Sequence, residues 1–149
     1  MTKEVLLSLR GLQFDIPNAD GDKIETITVA EYYYRNDSHY VLYEEVTEGF
    51  GQSTKSVIKF KKNYLELTKK GLVNVHMVFE ENRKNMTNYC TPYGDILIGI
   101  DTKRILIQEE EERIEVRVEY ALEVNYEHFA NCRIKIGIQS KNGNGFTLK

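Results

Sequence analysis

The sequence is poor in the residues that build helices, metal sites and disulfide scaffolds. It has four alanines, two prolines, two cysteines and no tryptophan among 149 residues. Alanine is the strongest helix former, so its scarcity argues against a helical fold. Cys90 and Cys132 belong to no CxxC pair and have no histidine at ligand spacing, which excludes a zinc ribbon and a thioredoxin motif. Unpaired cysteines fit a reducing compartment, so we expect a cytoplasmic protein without a metal or cofactor.

A long apolar run and a strong net charge are also missing. The only apolar run near the start covers residues 5–7, which is far short of the ~20 residues of a membrane helix. The net charge of -3 and the pI near 5.7 provide no overall attraction to nucleic acid or anionic lipid. We therefore expect no association with a membrane, and nucleic acid is a disfavoured partner.

Residues that favour β-strands are abundant. Valine, isoleucine, threonine, tyrosine and phenylalanine account for 50 residues, a third of the chain. Between positions 114 and 126, apolar residues occupy every even position, as in a strand with one buried and one wet face. Residues 63–71 are assigned to a strand, although two helical turns would also fit. Apolar positions change from even to odd around residues 101–104, which predicts a bulge or bend.

These features predict an all-β protein with one domain over residues 1–149, of which about 141–149 form a frayed tail. Turn signals recur about every ten residues, and several of the strands between them are long. Long strands joined by short turns favour an up-and-down antiparallel barrel of about eight to ten strands over a Greek-key sandwich.

Several short segments occur in one order along nearly the whole chain. They are V-L-L-S-L-R-G at positions 5–11, Y-E-E at 43–45, Y-C-T-P-Y-G at 89–94, I-G-I-D-T at 98–102 and Y-A-L-E-V-N at 120–125. This set resembles the YwiB-like family of uncharacterised small bacterial proteins. The resemblance implies a calycin-type barrel, the architecture shared by lipocalins and fatty-acid-binding proteins. The family has no assigned catalytic residues, so the resemblance assigns none here.

A tight turn provides the first candidate ligand site. Pro92 fixes φ and Gly94 frees it, which specifies a turn between two strands. Tyr89, Thr91 and Tyr93 around this turn would supply rings and hydroxyls at the mouth of a barrel, where pockets often lie. A purely structural turn is the alternative.

Tyr43 and Glu44 form a second candidate group at the rim or in the lumen. A carboxyl group in an apolar lumen has a raised pKa and can act as an acid or base. Adjacent residues of a strand point to opposite faces, so only one of Glu44 and Glu45 can face the lumen. A catalytic pair would need a carboxylate from another strand, and the histidines share no metal or triad motif. We predict no catalytic residues.

A basic segment provides an alternative site on the outer surface. Residues 55–70 carry six lysines and one glutamate. Lys55, Lys59 and Lys61 share one strand face, and with Phe60 and Tyr64 close by they could bind single-stranded RNA by phosphate contacts and stacking. Residues 105–127 carry eight glutamates and two arginines, so the other interpretation is two wet faces of opposite sign that keep a closed sheet soluble.

Three functions therefore stay open. The favoured one is a non-catalytic barrel whose lumen binds a small, partly apolar ligand, by analogy with the fold. The second is an RNA- or protein-interaction domain that uses its outer faces. The third is an enzyme that uses lumen carboxylates and tyrosines. Tyr32, Tyr33 and Tyr34 place rings on both faces of one strand, so the outer ring is either ordinary surface tyrosine or covered by a loop or a second subunit.

Overall fold

The computed structural model describes residues 3–11, 25–47, 52–72 and 74–141, and their regular structure is entirely β-strand. None of these residues forms a helix that is long and apolar enough to cross a membrane. The predicted tail lies outside them except for Lys141. The all-β prediction is confirmed by ten strands: β1 (Glu4–Arg10), β2 (Glu25–Arg35), β3 (Ser38–Thr47), β4 (Gln52–Lys61), β5 (Tyr64–Gly71), β6 (Val75–Glu80), β7 (Arg83–Thr91), β8 (Gly94–Glu109), β9 (Arg113–Val124) and β10 (Glu127–Ser140).

The ten strands form one antiparallel sheet in the order β6-β5-β4-β3-β2-β1-β10-β9-β8-β7. Strands that follow each other in the chain are neighbours in the sheet, except β6 and β7, and β1 pairs with β10. At the seam beside β6 and β7, Asn74 and Cys90 form an isolated bridge with N–O distances of 3.0 Å. The sheet is a nearly closed up-and-down barrel, which confirms the predicted calycin-like fold.

A β-bulge in β8 changes which positions face the interior. The register with β9 shifts between Thr102 and Arg104. Ile100 and Thr102 are buried before the shift, and Ile105 is buried after it. The predicted phase change is therefore confirmed, and its cause is one extra residue in the strand. As a consequence, Glu109 rather than its neighbours is brought to the inner face at the end of β8.

Large apolar side chains pack in the interior of the barrel. Phe60, Phe79 and Ile100 are fully buried, and the rings of Phe79 and Tyr120 meet edge to face with centroids 5.1 Å apart. Phe79 lies on β6 and Tyr120 on β9, which are not neighbours in the sheet, so this contact runs across part of the interior. The clefts described below open at the surface, and ligand binding in the lumen stays a prediction.

Candidate functional site

Three short turns meet at one end of the barrel. They join β2 to β3, β4 to β5 and β6 to β7, and each contains an asparagine with positive φ: Asn36 (52°), Asn63 (63°) and Asn82 (62°). Asparagine adopts this left-handed conformation more readily than most residues with a side chain, which allows very short connections between strands. Because these turns are short, the side chains of the strand ends shape this end of the barrel.

A cleft of about 830 Å³ opens at this end, and we call it the His39 cleft. Its volume falls in the range of small-molecule sites, roughly 300–1,000 Å³. Its wall includes the part of β8 that follows the bulge. The lining residues are Tyr34, Asp37, His39, Lys61, Lys62, Asn63, Glu81, Arg104, Ile105, Leu106, Ile107 and Glu109.

His39 is buried in this cleft, and its ring is held on all sides. Its Nδ1 lies 2.7 Å from the Tyr32 hydroxyl, and its Nε2 lies 2.5 Å from Oε1 of Glu109. The ring stacks on Phe60 with centroids 4.6 Å apart. The edge of the Tyr34 ring completes the enclosure at 4.8 Å. These contacts fix both the position and the orientation of the imidazole.

The hydrogen bonds form a row from Tyr32 through His39 to Glu109. A carboxylate only accepts, so Nε2 donates to Glu109, and in the neutral ring Nδ1 then accepts from the Tyr32 hydroxyl. The row has the connectivity of a triad. However, burial, followed by the negative charge of Glu109 and then Tyr34, raises the pKa of Tyr32, which disfavours a reactive tyrosinate. The row links β2 and β3 to β8, and we call it the brace.

Cations and carboxylates both line the His39 cleft. Glu81 accepts a hydrogen bond of 2.9 Å from the backbone N–H of Ile105, and Glu109 is engaged by His39. Within the part of the chain that the structure describes, Lys62 and Arg104 form no ion pair. The lining carboxylates keep their negative charge, so the cleft presents both signs, and these two cations are available to an anionic ligand group.

The predicted rim residues lie at the opposite end of the barrel from the His39 cleft. Thr91 pairs with Gly94 across the tight turn, and Tyr93 at its tip is 87% exposed. Tyr89 is half-buried against the core, and the side chain of Thr91 lies outside the described part of the structure. The turn is confirmed, and its role in ligand binding stays a prediction.

Tyr43 and Glu44 take opposite faces of β3. Tyr43 faces the interior, and its hydroxyl makes no hydrogen bond of normal geometry. Burial, with a smaller contribution from Glu45 and an opposing one from the nearby Ser56, raises its pKa. The inward carboxylate of the Glu44–Glu45 pair is Glu45, which binds Lys69 at 2.9 Å. Glu44 is exposed and pairs in register with Lys55. Tyr43, Glu44 and Lys55 all line a second cleft of about 650 Å³.

The outer face of β4 carries the three predicted lysines. Nζ of Lys59 lies 5.7 Å from the centroid of the Tyr40 ring, and Nζ of Lys61 lies 5.6 Å from that of Tyr64. Phe60, which the sequence analysis placed beside these lysines, points inward and is fully buried. Because side chains alternate along a strand, Phe60 belongs to the opposite face from its neighbours.

An exposed pair of rings, which the sequence did not predict, adjoins these lysines. Tyr33 of β2 and Tyr40 of β3 are directly opposite each other in register. Their rings stack with centroids 5.3 Å apart and an interplanar angle of 18°. The outer ring of the tyrosine run is therefore covered in part by a ring of the neighbouring strand.

Comparisons with known proteins give the family and an independent view of the fold. The model of a family described as "Domain of unknown function (DUF1934)" matches residues 7–136. The crystal structure of the ywiB protein from Bacillus subtilis is similar to this chain with a TM-score of 0.76. The identity is 20%, and the match covers 93% of this chain and 92% of that chain, which supports the fold alone. No curated protein matches. These matches confirm the resemblance seen in the sequence.

Proposed function

We propose that this chain, which belongs to the DUF1934 family and folds as a nearly closed barrel, is a non-catalytic binding module. Its ligand is a small, partly apolar molecule with an anionic group, and the binding site is the His39 cleft. The observation that carries this proposal is the juxtaposition of an apolar strand segment with two unpaired cations.

The apolar contribution comes from β8. Ile105 and Ile107 line the cleft from the inner face of this strand, and Ile107 is half-buried. Covering such a side chain with an apolar ligand group removes hydrocarbon surface from water, which is the main source of affinity in small-molecule sites.

The polar contribution comes from Lys62 and Arg104. Both line the cleft without an ion pair among the described residues, so an anionic group of the ligand does not have to displace a protein carboxylate. Hydrogen bonds between charged groups are roughly twice as strong as neutral ones. The ligand charge thus decides orientation and specificity, while the apolar wall provides bulk affinity.

The brace supports binding because it fixes the cleft before the ligand arrives. Tyr32, His39 and Glu109 join β2 and β3 to β8 by two hydrogen bonds. A preformed site spends little free energy on ordering side chains when the ligand binds. We therefore assign His39 a positioning role in the cleft.

The fluorescent anion anilinonaphthalene sulfonate tests the proposal, since it combines aromatic rings with a sulfonate. We expect it to bind the native protein with one-to-one stoichiometry and to be displaced by decanoate more readily than by decanol. Lys62→Gln and Arg104→Gln should each weaken binding by about tenfold or more, because each removes a charged hydrogen-bond donor. Lys135→Gln removes one positive charge from the outer face of β10 and is the matched control.

Thermal unfolding of each variant must accompany the titrations, because the dye also binds partly unfolded protein. Equal dye affinity in Arg104→Gln, Lys62→Gln and wild-type protein, with all three folded, would contradict the proposed site. Displacement by decanol and decanoate at the same concentration would contradict the proposed anionic group.

A further inference from the structure

The outer surface of β2 to β5 carries a second arrangement, which shares Lys61 with the lining of the His39 cleft. We name it the tyrosine–lysine strip, and it consists of Tyr33, Tyr40, Lys59, Lys61 and Tyr64. Cross-strand pairing places Tyr33 opposite Tyr40, Tyr40 opposite Lys59, and Lys61 opposite Tyr64. Three rings and two ammonium groups therefore lie together over four neighbouring strands, a span of about 14 Å at the usual interstrand spacing.

Positive charge is concentrated on the outer surface of β4 and β5. Lys55, Lys59, Lys61, Lys62 and Lys70 lie on these strands or in the turn between them, with Glu66 on the same surface. The net charge of -3 therefore hides a basic face. Binding a phosphate backbone requires a face with positive charge and does not require a positive net charge on the whole protein.

Carboxylates also adjoin the strip. Glu66 is opposite Lys59 and bonds His76, and Glu80 is opposite Tyr64 and forms an ion pair with Arg83. Glu44 is opposite Lys55 at one end of β4. Lys59 and Lys61 lie over tyrosine rings, so cations and rings coincide in the strip.

We propose that the tyrosine–lysine strip binds single-stranded RNA, with bases stacked on Tyr40 and Tyr64 and phosphates held by Lys59 and Lys61. Aromatic rings displayed on a sheet surface together with cations are the means by which proteins bind unpaired bases without reading a specific sequence. Double-stranded RNA keeps its bases stacked inside the helix and cannot use the rings. This inference does not depend on the proposed cleft ligand, since Tyr33, Tyr40 and Lys59 lie outside the cleft.

The ring contacts made by the lysines suit this role. Lys59 and Lys61 lie over the faces of Tyr40 and Tyr64 in the free protein. A cation over an exposed ring is held more weakly than a stacked base. A base can therefore take the ring face while the lysine turns toward the adjacent phosphate, and the free protein keeps both groups in place.

Fluorescence anisotropy with a labelled oligouridine tests the stacking part of the proposal. We expect binding at low salt, with Tyr40→Ala weakening it by about 5- to 100-fold and Tyr40→Phe leaving it within about twofold, because phenylalanine keeps the stacking face. Tyr93→Ala removes an exposed tyrosine at the other end of the barrel and should have no effect. Thermal unfolding identifies a misfolded Tyr40→Ala protein, in which case Tyr33→Ala and Tyr40→Phe carry the test.

Salt dependence tests the phosphate part. Affinity should fall with rising salt, and Lys59→Gln should lower the slope by about 0.7 log units per log unit of salt, while Lys135→Gln should not change it. The proposal is overturned by an absence of oligouridine binding at low salt, by equal affinity for the same RNA as a duplex, or by equal slopes in the two lysine variants. None of these outcomes changes dye binding in the His39 cleft, so the two proposals fail separately.

Discussion

His39 of β3 and Glu109 of β8 join opposite sides of the barrel through an Nε2–Oε1 distance of 2.5 Å. The two strands are five positions apart in the order of ten, so no ladder hydrogen bond connects them. Glu109 reaches the inner face because the bulge after Thr102 shifts the phase of β8. A single extra residue in one strand therefore decides which carboxylate meets the buried imidazole, and through it the shape of the His39 cleft.

Replacing Glu109 tests the brace. Glu109→Ala leaves the buried Nε2–H of His39 without an acceptor, and we expect a loss of about 1–2 kcal/mol in the free energy of unfolding. Glu110→Ala, one residue further along and exposed, should change it by less than ~0.5 kcal/mol. Urea unfolding followed by circular dichroism measures both. Equal effects of the two substitutions would show that the contact with His39 has no energetic role.

Inserting an alanine after Lys103 tests the bulge. A second extra residue moves Ile105, Ile107 and Glu109 to the outer face, because side chains alternate along a strand. The expected result is a protein that aggregates or unfolds. Lys103→Ala keeps the chain length and removes only an exposed ion pair with Asp101 at 2.8 Å, so it should change stability by less than ~1 kcal/mol. An insertion variant as stable as Lys103→Ala would contradict the assigned phase.

The strands and the bulge could be predicted because they depend on local alternation. His39 carries the same signal, since it shares its parity with Val41 and Tyr43 and therefore belongs to the inner face. Alternation likewise separates Phe60 from Lys59. The faces on which these residues lie can therefore be predicted from the sequence.

The partner of His39 could not be predicted from the sequence. Whether β3 faces β8 across the barrel depends on the number of strands, on closure and on strand stagger, none of which is encoded by a short motif. The same global quantities set the radius of the barrel and thus bring the rings of Phe79 and Tyr120 into contact.

Two tyrosines on the inner face should respond oppositely to loss of the hydroxyl. The Tyr43 hydroxyl is buried without a hydrogen bond of normal geometry, so Tyr43→Phe should leave the free energy of unfolding unchanged or raise it by up to ~1 kcal/mol. The Tyr32 hydroxyl bonds His39, so Tyr32→Phe should lower it by about 1 kcal/mol. Urea unfolding of the two variants checks this. The reverse order would mean that Tyr43 has an acceptor and Tyr32 does not need one.

Stability should fall on the alkaline side. Burial is the largest cause of the raised pKa of Tyr32, Tyr43 and Tyr120. An unfolded tyrosine ionises near pH 10, so above about pH 10 the unfolded chain releases protons that the folded chain keeps, and the free energy of unfolding decreases with pH. The contribution of these hydroxyls to the free energy of unfolding is fully present below about pH 10, and it is lost as the pH rises through their pKa values in the folded state.

Ultraviolet absorbance of tyrosinate checks this directly. At a pH slightly above 10, fewer of the ten tyrosines should be ionised in the native protein than in urea, because the buried hydroxyls keep their protons. Urea unfolding across the same range should give a free energy that declines with pH in wild-type protein and declines less steeply in Tyr43→Phe, which has one buried titrating group fewer. Identical slopes in the two proteins would show that Tyr43 ionises in the folded state as readily as in the unfolded chain, and its burial would then not govern the alkaline limit.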